Sequence, residues 1–253
     1  MTNFGDLYSQ YYDLLYQDKD YVEEANYVNS LIKKFGKTSN SILDMGCGTG
    51  RHAELFFSKG YKVHGIDSSE DMLEVAKNRC NNNGGDLSFS QSSIQDLDLK
   101  RKFDVVTSLF HVLSYQNKNE DLIKTFKVAK EHLNDGGVFI FDFWYAPAVL
   151  TDTPVVRVKS LENDSVKITR IANPTLSAQE NITNVNFNIF IEEKESGRIV
   201  KKEEAHAMRY FFDCELEMIC TEVGLSVEGK YEWMSQKTPD FGSWNVVWVV
   251  RAD

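Results

Sequence analysis

Two kinds of hydrophobic pattern follow one another along the first 150 residues of the 253-residue chain. Unbroken apolar runs at residues 103–110 and 138–142 are typical of strands that are buried on both faces. Between these runs, apolar residues recur with a helical period over residues 122–133, which predicts a helix that stops at Gly136 and Gly137. Strands and helices that alternate in this way predict a doubly wound, mostly parallel α/β sheet.

The pattern changes after residue 150. Apolar and polar side chains mostly alternate over residues 185–192, and residues 155–160, 165–172 and 199–211 are also strand-like. This period of two predicts an antiparallel β insertion, after which a helix and two strands complete a seven-strand sheet. We therefore predict three parts: an N-terminal cap with the ligand-binding half of the domain at 1–150, the insertion at 151–211, and the C-terminal helix and strands at 212–253.

One turn between a strand and a helix carries the strongest chemical signal. Residues 42–50 read Ile-Leu-Asp-Met-Gly-Cys-Gly-Thr-Gly, so Asp44 is followed by glycines at every second position. Glycine permits a tight turn and a close approach of the backbone to a ligand. The helix that begins at Arg51 directs free amides and the positive end of its dipole at this turn. The next strand ends at Asp67, about twenty residues on, where nucleotide-binding α/β domains bind a ribose.

The spacing distinguishes two classes of nucleotide cofactor. A dinucleotide-binding turn reads G-x-G-x-x-G, whereas Gly46, Gly48 and Gly50 alternate with other residues. This order resembles motif I of the class I S-adenosylmethionine (SAM)-dependent methyltransferases; NAD binding and a turn that binds nothing are the alternatives. The resemblance implies that the loop holds the amino-acid end of SAM, that Asp44 orients the loop or the methionine end, and that Asp67 binds the ribose hydroxyls. The predicted cofactor-binding residues are Tyr16, Asp44, Gly46, Cys47, Gly48, Asp67, Ser68, Met72, Ser93, Ile94 and Leu109.

The expected adenine site departs from the family pattern. Many class I methyltransferases place an Asp against the adenine amine after the third strand, and Ser93 stands at the matching position here. We expect the Ser93 hydroxyl or the Ile94 amide to take over this contact. Met72 is expected either to touch the adenine or to pack in a helix core.

Side chains that follow the fourth and fifth strands are candidates for the acceptor site. His111 comes directly after the fourth strand, where methyltransferases of this class line the acceptor pocket, and an ordinary histidine pKa near about 6.5 suits proton transfer. We predict that His111 accepts or relays a proton, and the alternative is a histidine that only packs near the cofactor. Phe110, Trp144 and Tyr145 are expected to shape the cavity. The other histidines are expected to be structural or surface residues: His52, His64, His132 and His206.

The N-terminal segment extends the resemblance to one subgroup. Residues 12–21, residues 69–73 and the strand 103–110, together with the glycine turn, are similar to bacterial methyltransferases that dimethylate nucleotide-linked amino sugars. By this resemblance, Tyr16 folds over the cofactor with its hydroxyl near the methionine or the acceptor amine, which makes it a second catalytic candidate. The resemblance also implies that the β insertion helps to form a homodimer.

The net charge of the chain bears on whether it binds nucleic acid. The formal net charge is −10, from 28 Lys and Arg against 38 Asp and Glu. An acidic chain repels phosphate backbones, so a nucleic-acid partner is disfavoured. Four arginines of the insertion are candidates for binding a diphosphate, and a solvated charged face is the alternative: Arg157, Arg170, Arg198 and Arg209.

The apolar runs, the N-terminal residues and the cysteine pattern together predict a cytoplasmic protein. No run of about 18 apolar residues predicts a membrane span, and the N-terminus lacks the basic and apolar regions of a signal peptide. No CxxC pair occurs and no His, Cys or carboxylate pair has convincing metal spacing, so we predict free thiols and no metal. The cysteines are Cys47, Cys80, Cys214 and Cys220.

These expectations converge on a cytoplasmic class I SAM-dependent methyltransferase with a small-molecule acceptor. The favoured acceptor is the amino group of a nucleotide-linked amino sugar or another small amine. A small-molecule O-methyltransferase and a non-catalytic SAM-binding module are the alternatives. A nucleic-acid methyltransferase is disfavoured by the charge and because no Asn/Asp-Pro-Pro-Tyr-type motif follows the fourth strand.

Overall fold

The computed structural model describes residues 14–16, 19–36, 39–79 and 84–252. Its strands are β1 (Ser41–Met45), β2 (Lys62–Asp67), β3 (Leu87–Gln91), β4 (Phe103–Ser108), β5 (Leu133–Tyr145), β6 (Arg157–Glu162), β7 (Val166–Ser177), β8 (Ile182–Glu193), β9 (Ile199–Phe211), β10 (Leu225–Glu232) and β11 (Asn245–Ala252). Its α-helices are α1 (Tyr21–Phe35), α2 (Arg51–Ser58), α3 (Glu70–Arg79), α4 (Asn119–Glu131), α5 (Ala146–Thr151) and α6 (Asp213–Val223). Within those described ranges, no helix combines the length and the apolar character that crossing a membrane requires.

Seven strands form the central sheet in the order β3-β2-β1-β4-β5-β11-β10. The first five are parallel neighbours, and β11 runs antiparallel to both β5 and β10. The order of strands reverses between β1 and β4, and ligands of open α/β sheets bind beyond the carboxyl ends of the strands at such a point. This arrangement confirms the predicted doubly wound seven-strand sheet.

The β insertion is an antiparallel meander in the order β9-β8-β7-β6. It is joined to the central sheet at one short parallel pairing, where Trp144 and Tyr145 of β5 lie opposite Tyr210 and Phe211 of β9. The meander therefore extends from the carboxyl end of β5. The predicted antiparallel insertion is confirmed, and its position makes it a wall beside the carboxyl edge of the central sheet.

The core lies on both faces of the central sheet because the side chains of β5 alternate between them. Phe139, Phe141 and Phe143 are fully buried on one face, where Phe126 of α4 packs against Phe141 at a ring-centroid distance of 5.2 Å. The intervening Ile140 packs with the cluster on the other face. Each such fully buried side chain contributes roughly 1.5–3 kcal/mol, so the sheet is a rigid support for the loops at its edge.

One predicted element boundary is wrong. Helix α4 ends at Glu131 and not at the glycine pair, because Leu133 already pairs with Phe103 as the first residue of β5. Helix α3 is capped by Ser69, because the Met72 amide donates to the Ser69 hydroxyl oxygen at 3.3 Å. Parts of the sequence predictions lie outside the described ranges, namely residues 12–13 and 17–18 of the N-terminal segment and Cys80.

Candidate functional site

A cavity of about 1100 Å³ opens at the carboxyl edge of the central sheet. Its walls come from the loops after β1 to β4, the end of β5 and the inner face of the meander. All twelve predicted site residues line it, although they are spread over nearly one hundred positions of the chain: Tyr16, Asp44, Gly46, Cys47, Gly48, Asp67, Ser68, Met72, Ser93, Ile94, Leu109 and His111.

The glycine turn folds back across the end of β2. The amides of Gly46 and Cys47 both donate to the Ile66 carbonyl oxygen, at 2.8 and 2.9 Å. Gly46 has a φ of +77°, and a Cβ there would lie 2.6 Å from Cγ1 of Val112. Only glycine therefore fits at this position without a local shift. The fold-back directs the Gly48 amide at the carboxylate that ends β2, to which it donates at 2.8 Å.

Backbone amides hold the Asp67 carboxylate. Gly48 N donates to Oδ2, and Ser69 N donates to Oδ1 at 2.9 Å. Burial raises the pKa of Asp67, and the backbone amides of Ser69, Gly48 and Ser68 oppose that shift. A carboxylate oxygen has two acceptor sites, so the carboxylate retains acceptor capacity after these bonds. The side chain lines the cavity and is suited to accept hydrogen bonds from the two hydroxyls of a ribose.

A second acid lies beneath the glycine turn. Asp44 is 2% exposed, and the Thr107 hydroxyl donates to its Oδ1 at 2.8 Å. Burial raises the pKa of Asp44, whereas the nearby His52 lowers it. His52 lines the cavity, and its Nε2 lies 2.9 Å from Oε2 of Glu24. The expectation that His52 is only a structural or surface residue therefore misses its place in the cavity wall.

The residues proposed for the adenine end are already partly engaged. The Ser93 hydroxyl donates to Oδ2 of Asp96 at 2.7 Å and accepts from the Asp96 amide at 3.2 Å. Ile94 is buried and lines the cavity. Met72 is 2% exposed and packs with Leu15, so it belongs to a core cluster while it lines the cavity.

The turn after β4 is strained, and a buried acid supports it. Phe110 and His111 are consecutive left-handed residues, with φ of +64° and +62°, a conformation that costs roughly 1–2 kcal/mol for a non-glycine residue. The His111 amide donates to both carboxylate oxygens of Asp142, at 3.2 Å each. Strain of this kind persists where the surrounding structure over-determines it, and the fully buried Asp142 supplies that support here.

The same acid faces the His111 ring. Nδ1 of His111 lies 2.8 Å from Oδ2 of Asp142, close enough for an ion pair but not aligned as a hydrogen bond. The side chain keeps 16% exposure on the cavity wall. Asp142 therefore fixes both the backbone and the ring of His111. In the sequence, Asp142 was visible as an acid at the end of the apolar run 138–142. Nothing in the sequence indicated that its partner is His111.

Tyr16 closes the cavity between the strained turn and the meander. Its ring packs edge-on against Phe110 at 5.1 Å, and its hydroxyl accepts a hydrogen bond from Nη1 of Arg170 at 3.0 Å. Trp144 lines the cavity as predicted. Tyr145 does not: neighbouring strand residues point to opposite faces, and Tyr145 packs against the core.

Sequence reasoning missed two aromatic groups of the cavity. Tyr115, at the end of the short 3-10 turn after His111, and His206 of β9 both line it, and their Oη and Nδ1 atoms are 2.8 Å apart. The prediction of a structural or surface role for His206 overlooked this contact. The available signal was the period of two in β9, which buries His206 together with Met208 and Tyr210.

Basic side chains gather on the meander side of the cavity. Arg157 and Lys159 of β6 and Arg170 of β7 line it. Arg209 instead pairs with Glu215 at 3.0 Å, and neither Arg198 nor Arg209 reaches the lining. Two of the four candidate arginines are thus in place for an anionic group. Among the described side chains, no three His, Cys, Asp or Glu residues group as metal ligands.

Comparison with known proteins identifies the class. A family described as a methyltransferase domain matches residues 42–137. The dTDP-3-amino-3,4,6-trideoxy-alpha-D-glucopyranose N,N-dimethyltransferase of Streptomyces venezuelae is 30% identical over 220 residues, which cover 86% of this chain and 89% of that protein. The crystal structure of Streptomyces venezuelae DesVI superposes with a TM-score of 0.81 at 26% identity, covering 97% and 98% of the two chains.

A SAM-dependent methyltransferase from Clostridium acetobutylicum shares the fold, with a TM-score of 0.83 at 23% identity over 96% of both chains. The chain belongs to the class I SAM-dependent methyltransferases. It is therefore an enzyme whose cofactor is SAM, as the glycine turn predicted. The relative from Streptomyces venezuelae is named for dimethylation of a dTDP-linked amino sugar.

Proposed function

We propose that this enzyme methylates the amino group of a nucleotide-linked amino sugar. The carrying observation is that the SAM-type loop and three basic side chains, Arg157, Lys159 and Arg170, line one cavity in a chain of net charge −10. Its volume of about 1100 Å³ exceeds the roughly 300–1,000 Å³ of ordinary ligand sites. Such a cavity holds a cofactor and a second, anionic ligand together, and the name of the Streptomyces relative supports that assignment.

The residues at the cofactor end fit SAM. The Asp67 carboxylate retains acceptor capacity for a ribose, and the glycine turn keeps its backbone accessible on the cavity wall. When bound, SAM supplies an electrophilic methyl group on a sulfonium. Aromatic rings stabilise such a cation, and the rings of Tyr16 and Phe110, which pack edge-on against each other, both line the cavity.

The acceptor amine is proposed to lie between Tyr16 and His111. Holding two reactants in near-attack geometry can supply several kcal/mol of the barrier, and the Tyr16 ring is fixed for that task by Phe110 and Arg170. An amine attacks only when it is neutral, so a proton acceptor assists. His111, oriented by Asp142, is the proposed proton acceptor beside the amine.

The acceptor is tested by mass spectrometry of methyl transfer from SAM. We expect a mass gain of one or two methyl groups on nucleotide-linked amino sugars, and replacement R157A is expected to raise KM for them about tenfold through the loss of a charge-assisted contact. The same variant should leave KM unchanged for an amino sugar without a phosphate.

The matched control is R198A, which removes an arginine that does not reach the cavity. Turnover of wild-type enzyme only on phenols or on simple amines would discard the sugar assignment while it retains the SAM site. Equal effects of R157A on phosphorylated and unphosphorylated acceptors would contradict the proposed diphosphate contact.

We further propose a homodimer formed through the edge of the meander. β6 is an edge strand, and unpaired edges favour pairing with another chain. Val158 of this strand is 65% exposed, and Val156, just before the strand begins, is 59% exposed. Light scattering at micromolar concentration should give a dimer, and V158K should shift it to monomer. M218K, which alters an apolar side chain that is 73% exposed on α6, should not; a wild-type monomer would sink the proposal.

A cytoplasmic location is proposed on the state of the thiols. Two of the described cysteines, Cys214 and Cys220, carry free thiols. Free thiols are typical of a reducing compartment, and burial raises the pKa of Cys220 to about 12, which keeps that thiol unreactive.

A further inference from the structure

A second polar chain, distinct from the pair His111 and Asp142, runs from the cavity into the meander. Tyr115 Oη lies 2.8 Å from Nδ1 of His206, and Nε2 of His206 lies 3.3 Å from Oε2 of Glu204. Glu204 and His206 are two residues apart on β9, so their side chains share one face of the strand. The three residues thus form a continuous path from a cavity hydroxyl to a carboxylate.

The local structure keeps this chain in place. The Asn117 side-chain amide donates to the Ala207 carbonyl oxygen at 3.1 Å, which holds the turn that carries Tyr115 against β9. The Phe187 ring packs edge-on against the His206 ring at 5.2 Å. The side chains of His206 and Glu204 are only 4% and 8% exposed. A buried carboxylate at this distance favours the imidazole proton on Nε2, which leaves Nδ1 to accept from the Tyr115 hydroxyl.

We propose that Tyr115, His206 and Glu204 form a proton relay that takes a proton from the acceptor amine. The inference rests on the proposed function, because it requires an amine acceptor. Each methyl group that is added to an amine replaces one N–H bond, so dimethylation releases two protons. His111 can hold one of them. A second acceptor in the same cavity lets the amine become neutral again for the second transfer.

The relay balances without any further reactant. The N–H bond of the methylated ammonium breaks, its electron pair stays on nitrogen, and the proton moves to Tyr115 Oη. The hydroxyl proton of Tyr115 moves at the same time to Nδ1 of His206. The imidazolium that forms is stabilised by the Glu204 carboxylate and releases its proton to water in the cavity that His206 lines. Tyr115 is unchanged at the end.

The phenol does not act alone. Burial is the largest influence on Tyr115 and raises the pKa of its hydroxyl, with Tyr16, Glu204 and Asp67 adding to the shift. Tyr115 therefore stays protonated at neutral pH and can only pass a proton on. The charged groups that bear on this chain are Glu204 on its own strand, Asp67 at the end of β2, and Arg170, whose guanidinium stacks on Phe187 at 4.8 Å.

The test compares Y115F, H206Q and E204Q with the wild type in the ratio of monomethylated to dimethylated product and in the pH profile of kcat. General acid–base groups contribute about 10²–10⁴-fold. We expect H206Q and Y115F to slow the second transfer about tenfold or more, so that the monomethylated product accumulates, and to change the pH profile of kcat. Matched controls are Y61F and H64Q, which alter hydrogen-bonded rings outside the cavity.

A readout without turnover uses nitrogen NMR of the histidine rings in the SAM-free enzyme. The Nε2–H tautomer of His206 is expected in the wild type, and E204Q, which removes the carboxylate 3.3 Å from Nε2, is expected to change the tautomer ratio. The inference is overturned if H206Q and Y115F keep the wild-type product ratio and pH profile, or if E204Q lowers only the melting temperature. A wild-type enzyme that methylates no amine overturns the proposed function as well, which separates the two failures.

Discussion

Replacement of Asp67 by asparagine is expected to weaken SAM binding about 30-fold or more. The carboxylate accepts from two backbone amides, Gly48 N and Ser69 N. The asparagine side chain has one oxygen and one NH2 group. One of the two backbone N–H groups then faces the NH2 group, which is a donor and cannot accept its hydrogen bond. Hydrogen bonds to charged groups contribute roughly 1.5–3 kcal/mol each, and the ribose loses an acceptor as well. Calorimetric titration with SAM measures the loss directly.

The matched control is D86N. Asp86 is 59% exposed and lies 3.4 Å from Nζ of Lys62, the first residue of β2, whereas Asp67 is the last. It should bind SAM as the wild type does. The melting temperature of D67N without SAM separates a binding defect from a misfolded loop. Wild-type affinity in D67N would remove Asp67 from the cofactor site and with it the geometry that is proposed for the ribose.

Replacement of Gly46 by alanine is expected to disturb both stability and cofactor binding. The φ of +77° costs a non-glycine residue roughly 1–2 kcal/mol. The new Cβ would lie 2.6 and 2.7 Å from the two Cγ atoms of Val112, so the whole side chain must move, and overpacking of this kind costs about 1–3 kcal/mol. We expect urea unfolding to show a total loss of about 2–5 kcal/mol, together with weaker SAM binding.

Two further variants separate strain from collision. G60A also places a side chain at positive φ, +94°, but nothing lies within 4 Å of its Cβ, so it reports strain alone. The double variant G46A/V112A removes the collision and should recover part of the loss, which a double-mutant cycle measures as coupling. A G46A enzyme as stable as the wild type would show that the turn relaxes freely.

The central sheet and the cofactor loop could be predicted because their signals are local. The turn at residues 42–50 and Asp67 are defined by spacing along the chain, and the apolar runs show which strands are buried. The start of β5 was mistaken because Leu133 continues the helical period of α4, while its pairing with Phe103 is a contact thirty positions away in sequence. A tertiary contact overrides the local pattern there.

The acceptor side is harder to predict because its partners are distant in sequence. Tyr115 and His206 are 91 positions apart, and Tyr16 and Arg170 are 154 positions apart. Neither pair belongs to a motif with fixed spacing, so each depends on how the meander folds back over the sheet. The prediction that Tyr145 shapes the cavity is wrong for the opposite reason. Tyr145 neighbours Trp144 in sequence, but consecutive side chains of a strand point to opposite faces of the sheet.

The meander meets the central sheet at a single short pairing between β5 and β9. The cofactor loops are supported by the seven-strand sheet, whereas Arg157, Lys159, Arg170 and His206 stand on the meander. The methyl donor and the acceptor therefore contact two parts of the fold, which share this one strand pairing and are otherwise joined by side-chain contacts such as that of Tyr115 with His206. Substitutions on the meander can change which acceptors bind while the loops that hold the methyl donor keep their shape. One fold can therefore acquire many different acceptors and still use the same methyl-donor chemistry.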